Sequence, residues 1–369
     1  MLSDAKGRLQ KLSRDYQAGV IRTFQSNDMN STVLQSNRTF SLYWNFAPAV
    51  MALGYPWYLA WFYTAVSDHS AAGVLVAVAC VLAVPASAFA SLLTLARLES
   101  TDGRVTIFRR LAHFTFASPP LFVIVGVLLY LIKVNGADAK VWLGLWSAII
   151  VGSILVISTM QGRPARHPLG VNTAPVRVLH GISSVVIVVV FVFPHLGNHA
   201  VGILGTNIHH SVMLVLRHVY RAGWLEPILI GLFFFQVISG LVLLVPKLDR
   251  KLDVLGSLQT ASGAYLVIFI ASHINSVFIL ARYFGTDTDY AWATGAPAGL
   301  TGDPWEVRLI PHYSLGVLLV LCHIVCGLRT VMLTHGVRID RANKICWLLI
   351  TASTVWTTVV VLGMLGVRV

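Results

Sequence analysis

Charge is what this chain of 369 residues has least of: Asp, Glu, Lys and Arg together make up 11% of it, where soluble domains carry about a quarter. With 56% hydrophobic residues beside that scarcity, a soluble globular domain of this size is excluded. Cysteine is also sparse. The four, Cys80, Cys322, Cys326 and Cys346, all lie inside apolar runs, and none forms a Cys-x-x-Cys pair. They read as small apolar packing residues. Iron–sulfur, nucleotide-binding, dinucleotide and hydrolase motifs are missing too, so any flavin or iron–sulfur chemistry would have to come from a separate polypeptide. A net charge of +12 could indicate nucleic acid, but the basic residues mark membrane topology instead, as set out below; no nucleic-acid partner is expected.

What the chain does have is long apolar runs. Windows of about 20 mainly apolar residues predict nine transmembrane helices, at 48–66, 72–97, 110–132, 141–160, 176–196, 225–245, 258–281, 312–333 and 345–366. These runs are too long, and too free of alternation, for outer-membrane strands. The expected fold class is all-α, a polytopic helical protein in a lipid bilayer.

Of the 27 Lys and Arg, 20 fall on the side of the amino terminus, in segments such as Arg104, Arg109 and Arg110, or Arg338, Arg341 and Lys344. By the positive-inside rule the amino terminus faces the cytoplasm or the mitochondrial matrix and the carboxyl terminus the opposite side. That places the protein in a bacterial inner membrane or a mitochondrial membrane. Attraction to anionic lipid is a secondary consequence of the same charge. Residues 1–45 have no signal-peptide core. Leu2, Leu9, Leu12, Tyr16, Val20 and Phe24 recur at helical spacing among Lys and Arg, which reads equally as an interfacial amphipathic helix or as a plain cytoplasmic tail. Two glycosylation sequons, at Asn30 and Asn37, lie on the inner side, where they should be unused.

The second half contains an internal repeat. The fifth span ends in Val-Phe-Pro-His195 and the seventh in Ile-Ala-Ser-His273, each histidine near the outer end of its helix. The sixth and eighth agree as well: Gln236 and Gly240 stand where His323 and Gly327 stand in the later copy. At about 1.5 Å per residue, His195 and His273 fall in the outer half, roughly 6 Å apart in depth, while Gln236 and His323 share the middle of the membrane. Two such hairpins make a four-helix bundle, an architecture that holds cofactors between facing side chains. Histidines at membrane depth are functional candidates, and neutral imidazoles on neighbouring helices are the axial ligands that a b-type haem needs.

Residues 176–350 resemble the membrane-anchor cytochrome b subunit of succinate dehydrogenase and fumarate reductase, the single-chain five-helix diheme type. The stretches that carry the resemblance are Arg177 to His180, His195 to Asn198, Phe235 to Gly240, Leu258 to Gly263 leading to His273, and His323 to Gly327 running on through Thr334 to Val337. The resemblance implies that His195 and His273 ligate an outer haem iron and that His323 is one ligand of an inner one. The inner partner by position is Gln236, which is not an ordinary axial ligand, so one haem b is expected, with a second in question. It also implies electron exchange with a quinone or with flavoprotein and iron–sulfur subunits on the cytoplasmic or matrix side, so the chain would be an oxidoreductase subunit in electron transport rather than a stand-alone enzyme. The mitochondrial Mcp-type adaptor family is similar over the same region, and it implies instead a haem-free scaffold or lipid-homeostasis adaptor.

Other residues have smaller expected roles. His180, beside Arg177 at the inner interface, reads as a snorkelling histidine or a propionate contact. The outer segment 197–224, with His199, His209, His210 and His218, reads as a short amphipathic surface helix that caps the outer haem, with His209 or His210 near its propionates. Asp287, Asp289, Tyr290, Trp292 and Trp305 form an aromatic belt or a quinone entrance. The chain thus divides into an N-terminal segment at 1–45, a four-helix region at 46–165 with no assigned role, and a five-helix cytochrome b-like domain at 166–369.

Overall fold

The computed structural model describes residues 42–98, 102–160, 172–248 and 250–369. The expected amphipathic helix at 1–45 and the two sequons lie outside the described residues, apart from a helical turn at 42–47. The chain divides there: residues 1–47 are one unit, and Pro48–Val369 form one compact unit. The described residues are helical throughout and contain no strand element.

The helices of the second unit are α1 (Tyr55–Ser67), α2 (Ala71–Ala96), α3 (Gly103–Phe116), α4 (Ser118–Leu131), α5 (Asp138–Thr159), α6 (Ala174–Leu204), α7 (Thr206–Tyr220), α8 (Leu225–Lys247), α9 (Val254–Tyr283), α10 (Glu306–Thr334) and α11 (Ile339–Met364). Among them α2, α5, α6, α8, α9, α10 and α11 are long and apolar enough to cross a membrane, seven where nine were expected. Both differences have a local cause. The first expected span breaks at Gly54, immediately before Tyr55-Pro56 opens α1, where the proline ring sits in a first turn that needs no N–H from it. The third breaks at Ala117 before Ser118-Pro119-Pro120, and α3 and α4 meet there at 64°.

Burial supports a lipid surround. Only 11% of the most apolar stretch of α6, and the same share of α8, is buried within the protein, so Val178, Ile182, Val185 and Val189 on α6 and Phe234 and Ile238 on α8 point outward. A water-facing surface of that kind would forfeit about 25 cal/mol per Å² of apolar area, whereas lipid costs it nothing. This is an integral membrane protein.

The first half joins the second through α9, which packs on α2, α3 and α4 as well as on α8 and α10. Arg109 ties the junction together. It is 3% exposed, and it donates from Nη1 to the Leu248 carbonyl at 2.6 Å and from Nη2 to the Leu95 and Leu98 carbonyls at 2.8 and 2.9 Å. Carbonyls at and just beyond the ends of α2 and α8 are thereby gathered by one guanidinium, the Leu95 carbonyl also accepting from the Leu98 N–H at 3.1 Å. Farther along, Trp142 and Trp146 are fully buried against Tyr55 and Phe122, and the Trp142 indole donates to the Ala52 carbonyl at 2.6 Å.

Candidate functional site

His195 on α6 and His273 on α9 face each other with ring centres 6.0 Å apart and planes crossed at 68°. The two helices bring them to nearly one level: His195 lies 21 residues beyond Ala174 and His273 lies 19 beyond Val254. That offset is about 3 Å along the axes, half the separation expected from the sequence. Each helix also departs from α geometry beside its histidine. A π-helical stretch occupies Val188–Val192 just before His195, and another occupies Ser276–Tyr283 just after His273. Such widened turns rotate the following side chains out of the regular register and recur at functional positions.

Aromatic rings fix both imidazoles. Phe191 stacks on His195 at 4.9 Å and Phe269 on His273 at 5.7 Å, with ring planes 17° and 8° apart. Among the described residues, no ring nitrogen of either histidine makes a hydrogen bond. Two imidazoles bonding one metal ion from opposite sides at about 2 Å each have ring centres roughly 6 Å apart. If a metal-containing group bound here, His195 and His273 are the residues that would hold it, with a lone pair from each ring.

The pair is the end of a longer run of rings. His199, one turn beyond His195, packs edge-on against it at 4.7 Å and lies 5.3 Å from His209 of α7. His209 is buried and stacks on Tyr290 at 4.0 Å, and Asn198 Nδ2 lies 3.2 Å from its Nε2. On the other side Phe269 touches His312 at 4.7 Å. His199 Nδ1, His209 Nδ1, His312 Nδ1, Asn198 Oδ1 and the Tyr290 hydroxyl are all buried without a partner. Burial, reinforced by the neighbouring charge of His210, lowers the His209 pKa to about 4. His209 is therefore held as neutral imidazole. His210, on the opposite face of α7, is exposed.

The other expected residues lie elsewhere along the same helices. His323 on α10 meets the Gln259 carbonyl at 3.1 Å and Ser262 Oγ at 3.3 Å through Nδ1. A carbonyl can only accept, so Nδ1 carries the proton and Nε2 the lone pair. Gln236 does not face an iron position with a free amide: its Nε2 donates to the His180 carbonyl at 2.9 Å and to Ser183 Oγ at 2.8 Å. His180 in turn pairs its Nδ1 with Ser239 Oγ at 2.8 Å, so it is a packed residue between α6 and α8 rather than a free interfacial one. Two glycines lie beside these residues. A Cβ on Gly240 would meet only His180 Cε1, at 3.6 Å, and one on Gly327 only Gln259 Nε2, at 3.9 Å.

Sequence reasoning did not find the contributions of His312, Phe191 and Phe269, and it placed His199 in a surface helix after the fifth span rather than on that span's own continuation. The spacing of His195 and His199, four residues apart on one helical face, was the available signal for the last. His312 opens an apolar helix and has no sequence neighbour that marks it.

The fold and the site together define a polytopic helical membrane protein with a buried cluster of histidines at one end of its bundle. Comparison with known protein families, with curated proteins and with solved structures finds no match for this chain.

Proposed function

We propose that this protein is a membrane cytochrome b-like electron-transfer protein that holds one b-type haem between His195 and His273. The observation that carries the proposal is the 6.0 Å spacing of their rings across α6 and α9, together with the absence of any hydrogen bond to their nitrogens. Haem, when bound, supplies one-electron chemistry; the chain positions it and sets its surroundings. His195 and His273 act as neutral donors, Phe191 and Phe269 hold their ring planes, and the apolar helices exclude water. Gln236 is committed to α6, which favours a single haem over two. The electron partner is a membrane quinone, or a flavoprotein or iron–sulfur subunit on the cytoplasmic or matrix side.

The same reading takes the chain across the membrane nine times, with α3 and α4 together forming one crossing and the broken helices of 48–66 another. The amino terminus lies inside and the carboxyl terminus outside, and the two hairpins α6 with α8 and α9 with α10 form the repeat.

A reduced-minus-oxidised difference spectrum of the purified, haem-supplied protein tests the proposal. The expected result is the sharp α-band of low-spin haem b, lost in His273→Ala and retained in His323→Ala. A flat spectrum from the wild-type protein would reject it in favour of the haem-free scaffold.

A further inference from the structure

A cleft of about 430 Å³ opens where the end of α4 and the start of α5 meet the loop that precedes α10. Its lining includes Gly126, Tyr130, Val134, Asp138, Trp305 and Arg308, and its volume lies within the roughly 300–1,000 Å³ of small-molecule sites. Arg308 is the unusual member. It is 8% exposed, its Nη1 donates to Asp138 Oδ2 at 2.6 Å, and its Nε donates to the Trp305 carbonyl at 3.0 Å. The guanidinium lies over the rings of Phe122 and Trp305, 4.6 and 4.9 Å from their centroids. Nη2 has no acceptor in the protein. Gly126 makes this placement feasible, since a Cβ there would collide with Nη1.

The chemistry narrows the ligand. Nη2 is a charged donor without an acceptor among the described residues, on the wall of the cleft, so a guest that presents an acceptor to it would gain a charge-assisted hydrogen bond. A strong anion is disfavoured, because Asp138 already neutralises Arg308, and Asp303 and Glu306 flank the same loop. A neutral carbonyl on a flat ring suits both the donor and the indole face of Trp305. One side of the rim is apolar and outward, with Tyr130 61% and Val134 43% exposed, which leaves a greasy tail an exit into lipid. Val127 and Trp305 of this region pack into one apolar cluster with Leu196, the residue after His195. The cleft and the helix that carries His195 thus border one apolar core.

We propose that this cleft binds the headgroup of a quinone, one carbonyl accepting from Arg308 Nη2 and the ring lying against Trp305. The inference rests on the electron-transfer reading and assigns it a quinone position. The test is equilibrium titration of the purified full-length protein with decylubiquinone. Val134 is 43% exposed, so Val134→Trp fills the cleft from its rim without disturbing the core. It should weaken binding at least tenfold with an unchanged melting temperature, and Arg308→Gln should weaken binding as far at a lower melting temperature, since it breaks the pair with Asp138. A wild-type protein that does not bind decylubiquinone, or saturable binding that Val134→Trp leaves intact, overturns the proposal. The haem spectrum separates the two readings. Cleft-dependent binding without a haem band keeps the cleft and sinks the cytochrome, while a haem band with binding insensitive to Val134→Trp does the reverse.

Discussion

The rings of His195 and His273, 78 positions apart in the chain, lie 6.0 Å from each other, each stacked on a phenylalanine of its own helix four residues before it. The phenylalanine at i−4 occupies the same helical face as the histidine and limits its rotation. The pair is thus preorganised by local sequence on each helix and brought together only by the packing of the bundle.

Gly316 on α10 sits against the ring of Phe269, with no room for a Cβ. Gly316→Ala should push Phe269 toward His273 and His312. The expected outcome is a folded protein whose haem content falls or whose α-band shifts, measured by the haem-to-protein ratio and the reduced spectrum. An unchanged spectrum would show that the Phe269 ring does not set the position of His273.

Arg109→Lys should destabilise the protein strongly, because one ammonium on a different stem cannot serve the Leu95, Leu98 and Leu248 carbonyls together. Hydrogen bonds from charged donors are worth about 1.5–3 kcal/mol each, so the loss should be roughly 3 kcal/mol or more. Thermal unfolding in detergent measures it; a shift of under a degree would contradict the role of Arg109 at the junction.

Gln236→Ala removes both amide bonds to α6, to the His180 carbonyl and to Ser183 Oγ. The expected cost is about 1–3 kcal/mol of stability, with the haem content of the protein unchanged. Loss of haem with unaltered stability would mean that Gln236 serves an iron site instead.

Acid should loosen the α7 end of the bundle. His209 titrates near 4 in the folded protein and near 6.5 unfolded, so below the unfolded value the unfolded chain binds the extra proton. His209 therefore contributes no penalty above pH 6.5, and stability falls as pH drops from 6.5 through about 4, by roughly 3 kcal/mol at the full shift. His209→Phe, which preserves the stack on Tyr290, should show a shallower fall. Parallel melting curves between pH 7 and 4.5 make the comparison, and identical slopes would exclude His209 as a source.

Much of this was legible in the residues. Apolar runs of membrane length and the scarcity of charge determined a helical membrane protein, because lipid demands that each spanning segment satisfy its own backbone. The same runs located most of the spans, while the breaks at Gly54 and Ala117 depended on how Pro56 and Pro119 are accommodated. The repeat also singled out His195 and His273 before any coordinates, since equivalent positions in two hairpins fall at similar depth.

Tertiary structure decided the rest. Which nitrogen finds which partner depends on helix rotation, and the π-helical stretches in α6 and α9 alter that rotation in ways no 3.6-residue periodicity contains. Gln236 is bound to His180 and Ser183 of α6, ahead of its π-helical stretch, and His199, His209, His312 and Tyr290 gather around the pair from four separate segments. The Arg308 cleft is likewise a product of packing: Gly126, Asp138 and Trp305 are distant in sequence, and only the approach of α4, α5 and α10 makes them one surface.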